Sequence, residues 1–200
     1  MKRTVLFIVA LVHCIVLYGQ ESKLSKLDSN NGFNNLKFRS SIGDIKKIAN
    51  LKKISEAKVK DGVMEYYSIK NADRNYTFGN YKLKSISLGF VTNHVRKTEQ
   101  LAYIEVNLAD SKYLSDSGKL NEMLNAEYGF PTKTESEEKN FELSQNHIAY
   151  VLDWQADKVL LRLLKWNLPL TEKGEIVGNT YRYYDLEIFN NISKTGNNGF

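Results

Sequence analysis

In 200 residues the chain has one cysteine, Cys14, and it lies in an apolar run near the start. Everything after that run therefore lacks a disulfide, a thiolate nucleophile and a cysteine metal ligand. Histidine is scarce as well. Beyond His13 only His94 and His147 remain, at no ligand spacing from each other or from a carboxylate pair, so neither a metal site nor a cofactor is expected. A dense basic block is also missing. The formal charge is +5, and setting aside Lys2 and Arg3 leaves +3 spread along the remainder, which argues against a nucleic-acid partner. Without covalent staples, stability must come from an apolar core, and about 180 residues suffice for one domain to bury it.

What is present begins with a leader. Lys2 and Arg3 precede an unbroken apolar run from Val5 to Val12, which resumes after His13 through Cys14, Ile15, Val16 and Leu17. That is the layout of a secretory signal peptide. The run falls short of the roughly 20 apolar residues that a spanning helix needs, so no stable transmembrane span is expected after processing. The polar switch at Gly19, Gln20 and Glu21 places cleavage after Gly19 and the leader at 1–19, with an uncleaved anchor as the alternative. Cys14 follows His13 inside the apolar run and is no lipid-attachment site. The chain is thus expected to be exported, to a bacterial periplasm or the exterior.

Residues 20–37 are polar and rich in Ser and Asn, and read as a flexible tether before a single domain over 38–189. Ile45, Ile48 and Ala49 recur at helical spacing after Asp44, which predicts a short helix over 44–52 capped by that aspartate. Alternation then predicts strands at 63–69, 83–91 and 101–108; in the second, Ile86, Leu88 and Phe90 face one way and Ser85, Ser87 and Gly89 the other. Leu120, Met123, Leu124 and Tyr128 form the stripe of a second helix stopped by Gly129 and Pro131. Further strands are predicted near 132–138, 147–154, 159–166 and 180–189, before an Asn/Gly tail at 190–200. The expectation is an α+β two-layer sandwich, a mainly antiparallel sheet with two amphipathic helices on one face. Its order is compatible with one α-plus-meander unit occurring twice.

With Ile42-Gly43-Asp44 opening a short helix, Leu120, Leu124 and Tyr128-Gly129-Phe130-Pro131 closing a longer one, and Trp154 in a strand before another apolar strand, the chain resembles a class of small exported bacterial domains. These are related to the β-lactamase-inhibitor-protein and outer-membrane-assembly lipoprotein (SmpA/OmlA-like) fold. The resemblance covers about residues 38–189. It implies a non-catalytic binding or scaffold role in the cell envelope, and it carries over no binding residue. The related domains are shorter and usually keep a cysteine pair or a lipid anchor, which this chain does not have.

Three patterns raise the question of chemistry. Ser55-Glu56-Ala57-Lys58, Ser115-Asp116-Ser117 and Lys194-Thr195-Gly196 stand in the order of the serine β-lactamase and penicillin-binding set, so a small serine hydrolase using Ser55 and Lys58 is the alternative function. That chemistry needs the serine at a helix start with the lysine one turn on, whereas Ser55 enters a predicted strand and Lys194 lies in the tail. Asp116-Ser117-Gly118-Lys119 lacks the earlier glycine of a phosphate loop. Glu135, Glu137 and Glu138 with Lys133 and Lys139 read as a solvated edge strand. For binding, the candidates are aromatic: Tyr181 and Tyr183 on the outward face of the last strand, and Trp166, against an envelope protein or a small ligand. Cover for an open sheet face is the plainer reading of those tyrosines.

Overall fold

The structure is a computed structural model and describes residues 23–59, 61–109, 117–135, 147–167 and 177–193. The leader, Ser115 and Asp116, Glu137, Glu138 and Lys139, and Lys194 to Gly196 lie outside these residues.

The segment expected to be a tether is folded. Residues 23–30 are helical (α1) and lead into a small hairpin of β1 (Gly32–Phe33) and β2 (Leu36–Lys37). Leu27, Phe33 and Leu36 are buried in the main core. The Asp28 carboxylate accepts backbone N–H groups of Asp157, Lys158 and Val159 at 3.1, 2.9 and 3.0 Å. Few apolar residues in a polar stretch resemble a linker, but Leu24 and Leu27, three apart on α1, and Phe33 and Leu36 of the hairpin all pack on the core.

Helix α2 (Ile42–Ile48) starts two residues before the expected position, because Ser41 and not Asp44 is the cap. The Ser41 hydroxyl accepts the Asp44 N–H at 3.1 Å and donates to the Asp44 carboxylate at 2.8 Å. The strands β3 (Leu51–Val59) and β4 (Gly62–Ile69) follow, then the single turn α3 (Ala72–Asn75), β5 (Leu83–Asn93) and β6 (Thr98–Leu108). Helix α4 (Ser117–Tyr128) ends where Gly129 takes φ +82°, a conformation that costs glycine little. It leads to β7 (Lys133–Glu135), β8 (His147–Gln155), β9 (Val159–Asn167) and β10 (Val177–Asp185). The chain is α+β, with a large antiparallel sheet in the order β3-β4-β5-β6-β10-β9-β8-β7. Each half is thus a helix followed by four strands, and the last strands of the halves, β6 and β10, pair in the middle.

One face of the sheet is the floor of the core. Ile86, Leu88 and Phe90 of β5, Ile104 and Val106 of β6, Leu161 and Leu163 of β9, and Trp154 of β8 pack with Ile42 and Ile45 of α2 and Leu120, Leu124 and Tyr128 of α4. Trp154 donates its indole N–H to the Gly129 carbonyl at 2.8 Å, tying the end of α4 to the sheet. A bulge between β5 and β6 puts Leu101, not Ala102, on this face.

The last strand is shorter than expected. It ends at Asp185, and helix α5 (Leu186–Ser193) takes up what was read as strand and the start of the tail. Asp185 accepts the Ile188 N–H at 3.1 Å, as a capping residue does three positions before its donor, and Ile188 and Ile192 recur one turn apart. Both pack on a second, smaller cluster of Met64, Val91 and Ala102. Phe189 meets the Tyr184 ring at 4.8 Å between centroids. Because Leu186 and Ile188 also alternate with Tyr184, the helical start was indistinguishable from a period-2 strand.

Candidate functional site

The change of element at Asp185 inverts the faces read for β10. Tyr181 and Tyr183, expected to point outward, are both buried in the main core, with Tyr181 stacked on Phe78 at 4.3 Å and Tyr183 beside Phe33 at 5.8 Å. Burial pushes both phenols up from their ordinary pKa. The Tyr181 hydroxyl has no hydrogen-bond partner among the described residues. Neither tyrosine presents an exposed ring to a partner, although Tyr183 lines the floor of a cleft of about 280 Å³ between the β1–β2 hairpin and α4. Trp166 pairs in register with Ile148 and Gly178, and the position of its side chain lies outside the description.

The face of β10 that looks away from the core carries Thr180, Arg182 and Tyr184. Arg182 is the centre of a row that crosses the whole sheet. In register, Lys52 of β3 stands beside Ser68 of β4, Ser68 beside Ser87 of β5, Ser87 beside Glu105 of β6, and Glu105 beside Arg182. Beyond it Arg182 stands beside Arg162 of β9, Arg162 beside Asp153 of β8, and Asp153 beside Lys133 of β7. Directly opposed residues in an antiparallel pair share a face, so eight polar side chains lie in one line.

The line is tied together by close contacts. Arg182 donates through Nε to Glu105 at 2.9 Å, Tyr103 donates its hydroxyl to Glu105 at 2.5 Å, and Asn107 donates to Glu105 at 3.1 Å and to Ser85 at 3.2 Å. Thr180 donates to Asn107 at 2.6 Å. Arg162 grips Asp153 fork-on-fork, Nε and Nη2 each at 2.8 Å from a separate carboxylate oxygen. Burial alone would push the Glu105 carboxyl up, but the Tyr103 hydroxyl, the Arg182 charge and the Asn107 amide outweigh it and leave its pKa below the ordinary value. The same burial, with Glu105 alongside, holds the Tyr103 phenol well above its usual range. Such a site has guanidinium donors and carboxylate acceptors held in a fixed pattern.

Lys133 stands in the charged run noted in the sequence and Ser87 on the polar side of the predicted 83–91 strand, but Glu105, Arg182, Arg162 and Asp153 were not singled out. Two of them had a readable signal: Arg162 is a lone charge within Val159 to Leu164, and Asp153 a lone charge between Leu152 and Trp154. Ser55 and Lys58 do not form a cleft. Both are exposed on β3, an edge strand, facing Tyr66 and Val63 of β4 respectively. Side chains three apart on a strand leave opposite faces. His94 is exposed in the β5–β6 turn, and among the described residues no three His, Cys, Asp or Glu side chains come together as metal ligands. Among the described residues no helix is long and apolar enough to cross a membrane. No family model, curated protein or solved structure matches the chain.

Proposed function

We propose that the protein is an exported, non-catalytic binding or scaffold domain of the bacterial envelope, and that it recognises a protein partner through the polar face of its sheet. The observation that carries this is the in-register line from Lys52 to Lys133, centred on Glu105, Arg182, Arg162 and Asp153. Ion pairs taken partly out of water are poor stabilisers, and apolar side chains of like volume often serve stability as well or better. A row of them on a broad sheet face is therefore better explained by recognition, where fixed charges set specificity. The basic-then-apolar leader supports export, and the repeated helix-plus-four-strand order supports both the duplicated unit and the kinship with inhibitor-protein and assembly-lipoprotein domains. The finer reading of the fold is a sandwich of two layers, the sheet and the helices over its core face, with α5 added on the other side.

A photo-crosslinking residue placed at Ser87, on the row and half-buried, tests the reading in cells. A discrete adduct from that position, missing when the same residue replaces Lys47 on the exposed side of α2, is expected. Equal adducts from both positions, or none from Ser87, would sink the proposal.

A further inference from the structure

We infer that the tip of the β5–β6 hairpin is a docking point for a membrane surface bearing anionic headgroups, separate from the polar sheet face. Val95 stands at its apex, 76 % exposed, more than Ile48, Ile54 or Phe130. Its neighbours His94, Arg96 and Lys97 are exposed as well. The tip is built and not loose: the Asn93 side-chain oxygen accepts the N–H groups of Val95 and Arg96 at 3.0 and 2.8 Å, and Lys97 closes the turn with φ +54°. The His94 N–H donates to the Asp61 carbonyl at 2.8 Å, which anchors the tip on the β3–β4 turn, and Lys58 near the end of β3 is another exposed cation.

The acids nearby are few and mostly engaged. Glu99 accepts the Ile42 N–H at 2.7 Å, and Glu187 is paired with Arg39 at 2.7 Å, which among the described residues leaves the Asp61 carboxylate as the acid beside the tip. Behind the tip, a groove of about 530 Å³ runs toward α5, lined by Arg96, Asn93 and Asn191 with Val91 and Ile192 beneath; Arg39 and Asp61 line it too, but Arg39 is already paired with Asp185 and Glu187. A headgroup phosphate would meet the exposed tip cations Arg96 and Lys97. A nucleic acid or an acidic soluble protein would use the cations but gives no reason for an aliphatic side chain held at the apex; a bilayer uses both, the valine entering the acyl boundary while the cations meet phosphates.

The test uses the full chain with Cys14→Ser and Val95→Cys, labelled at position 95 with an environment-sensitive fluorophore. Vesicles of phosphatidylcholine alone are compared with vesicles of one part phosphatidylglycerol to two parts phosphatidylcholine. A blue-shifted, brighter signal on the phosphatidylglycerol vesicles alone is expected, with little change for a label at Asp73→Cys on α3. Neutralising both tip cations by Arg96→Gln and Lys97→Asn should weaken that binding about 25-fold, roughly fivefold for each charge removed near the surface. The inference is overturned if position 95 stays in water on both vesicles, as it would with a soluble acidic partner. It is equally overturned if both vesicle types give the same response, if position 73 responds as strongly, or if the neutralised tip binds as before, since the leader or another region then makes the contact.

Discussion

Replacing Leu27 or Asp28 by alanine separates a folded N-terminal segment from a tether, and the size of each effect follows from their surroundings. Leu27 is fully buried in the main core. Truncating such a leucine removes its apolar contacts and leaves a cavity, so Leu27→Ala should lower stability by about 3 kcal/mol. Asp28 accepts three backbone N–H groups from the β8–β9 turn, of which those of Asp157 and Lys158 are exposed and only that of Val159 is partly buried. Water can replace the first two partners, so the loss is dominated by the third, a charge-assisted bond to a group that water reaches poorly. Asp28→Ala should therefore cost about 2 kcal/mol. Chemical denaturation followed by tryptophan fluorescence reads both, and in a thermal scan the leucine variant should melt about 6–12 °C below the parent, at about 2–4 °C per kcal/mol for a domain of this size. Surface changes in a true tether stay within about 0.5 kcal/mol. If both variants unfold like the parent, residues 23–37 do not pack as described.

Tyr181→Phe removes a buried hydroxyl that has no partner among the described residues. It should leave stability unchanged or raise it by up to about 1 kcal/mol in a denaturant titration, whereas a loss of more than that would mean the hydroxyl is bonded. Glu105 carries a pH signature. Its folded pKa lies below the ordinary value of 4.5, so its contribution is present above that value and is lost as the pH falls through the folded value. The stability gap between the parent and Glu105→Gln should therefore be widest near neutrality and narrow below pH 4.5 in a series of urea titrations; a gap that is constant with pH would show that the carboxylate is not held by Tyr103 and Arg182.

The parts of the fold that were legible in the sequence are those where one local signal stands without a rival. On β5 the alternation of Ile86, Leu88 and Phe90 with Ser85, Ser87 and Gly89 has no helical interpretation, and Gly129 with Pro131 leaves α4 nowhere to continue. The failures have separate causes. Around Asp185, alternation and helical spacing both fit the same residues, and the deciding fact is a capping bond between Asp185 and Ile188 that composition does not reveal. Because side chains on a strand alternate, fixing the end of β10 wrongly turned Tyr181 and Tyr183 outward. The N-terminal segment was misread for the opposite reason: Leu27, Phe33 and Leu36 are too sparse to suggest a core element until long-range packing collects them. The polar line was invisible for a third reason, since it runs across strands that are far apart in the chain and exists only in the register.

The polar line is most directly tested by the pair Arg182→Met and Glu105→Gln made together, which removes the central ion pair while keeping its volume. Denaturation of the double variant should give a stability within about 1 kcal/mol of the parent, while the adduct trapped from Ser87 disappears. An adduct of undiminished yield on a variant that remains folded would contradict the account, because the central charges would then have no part in recognition.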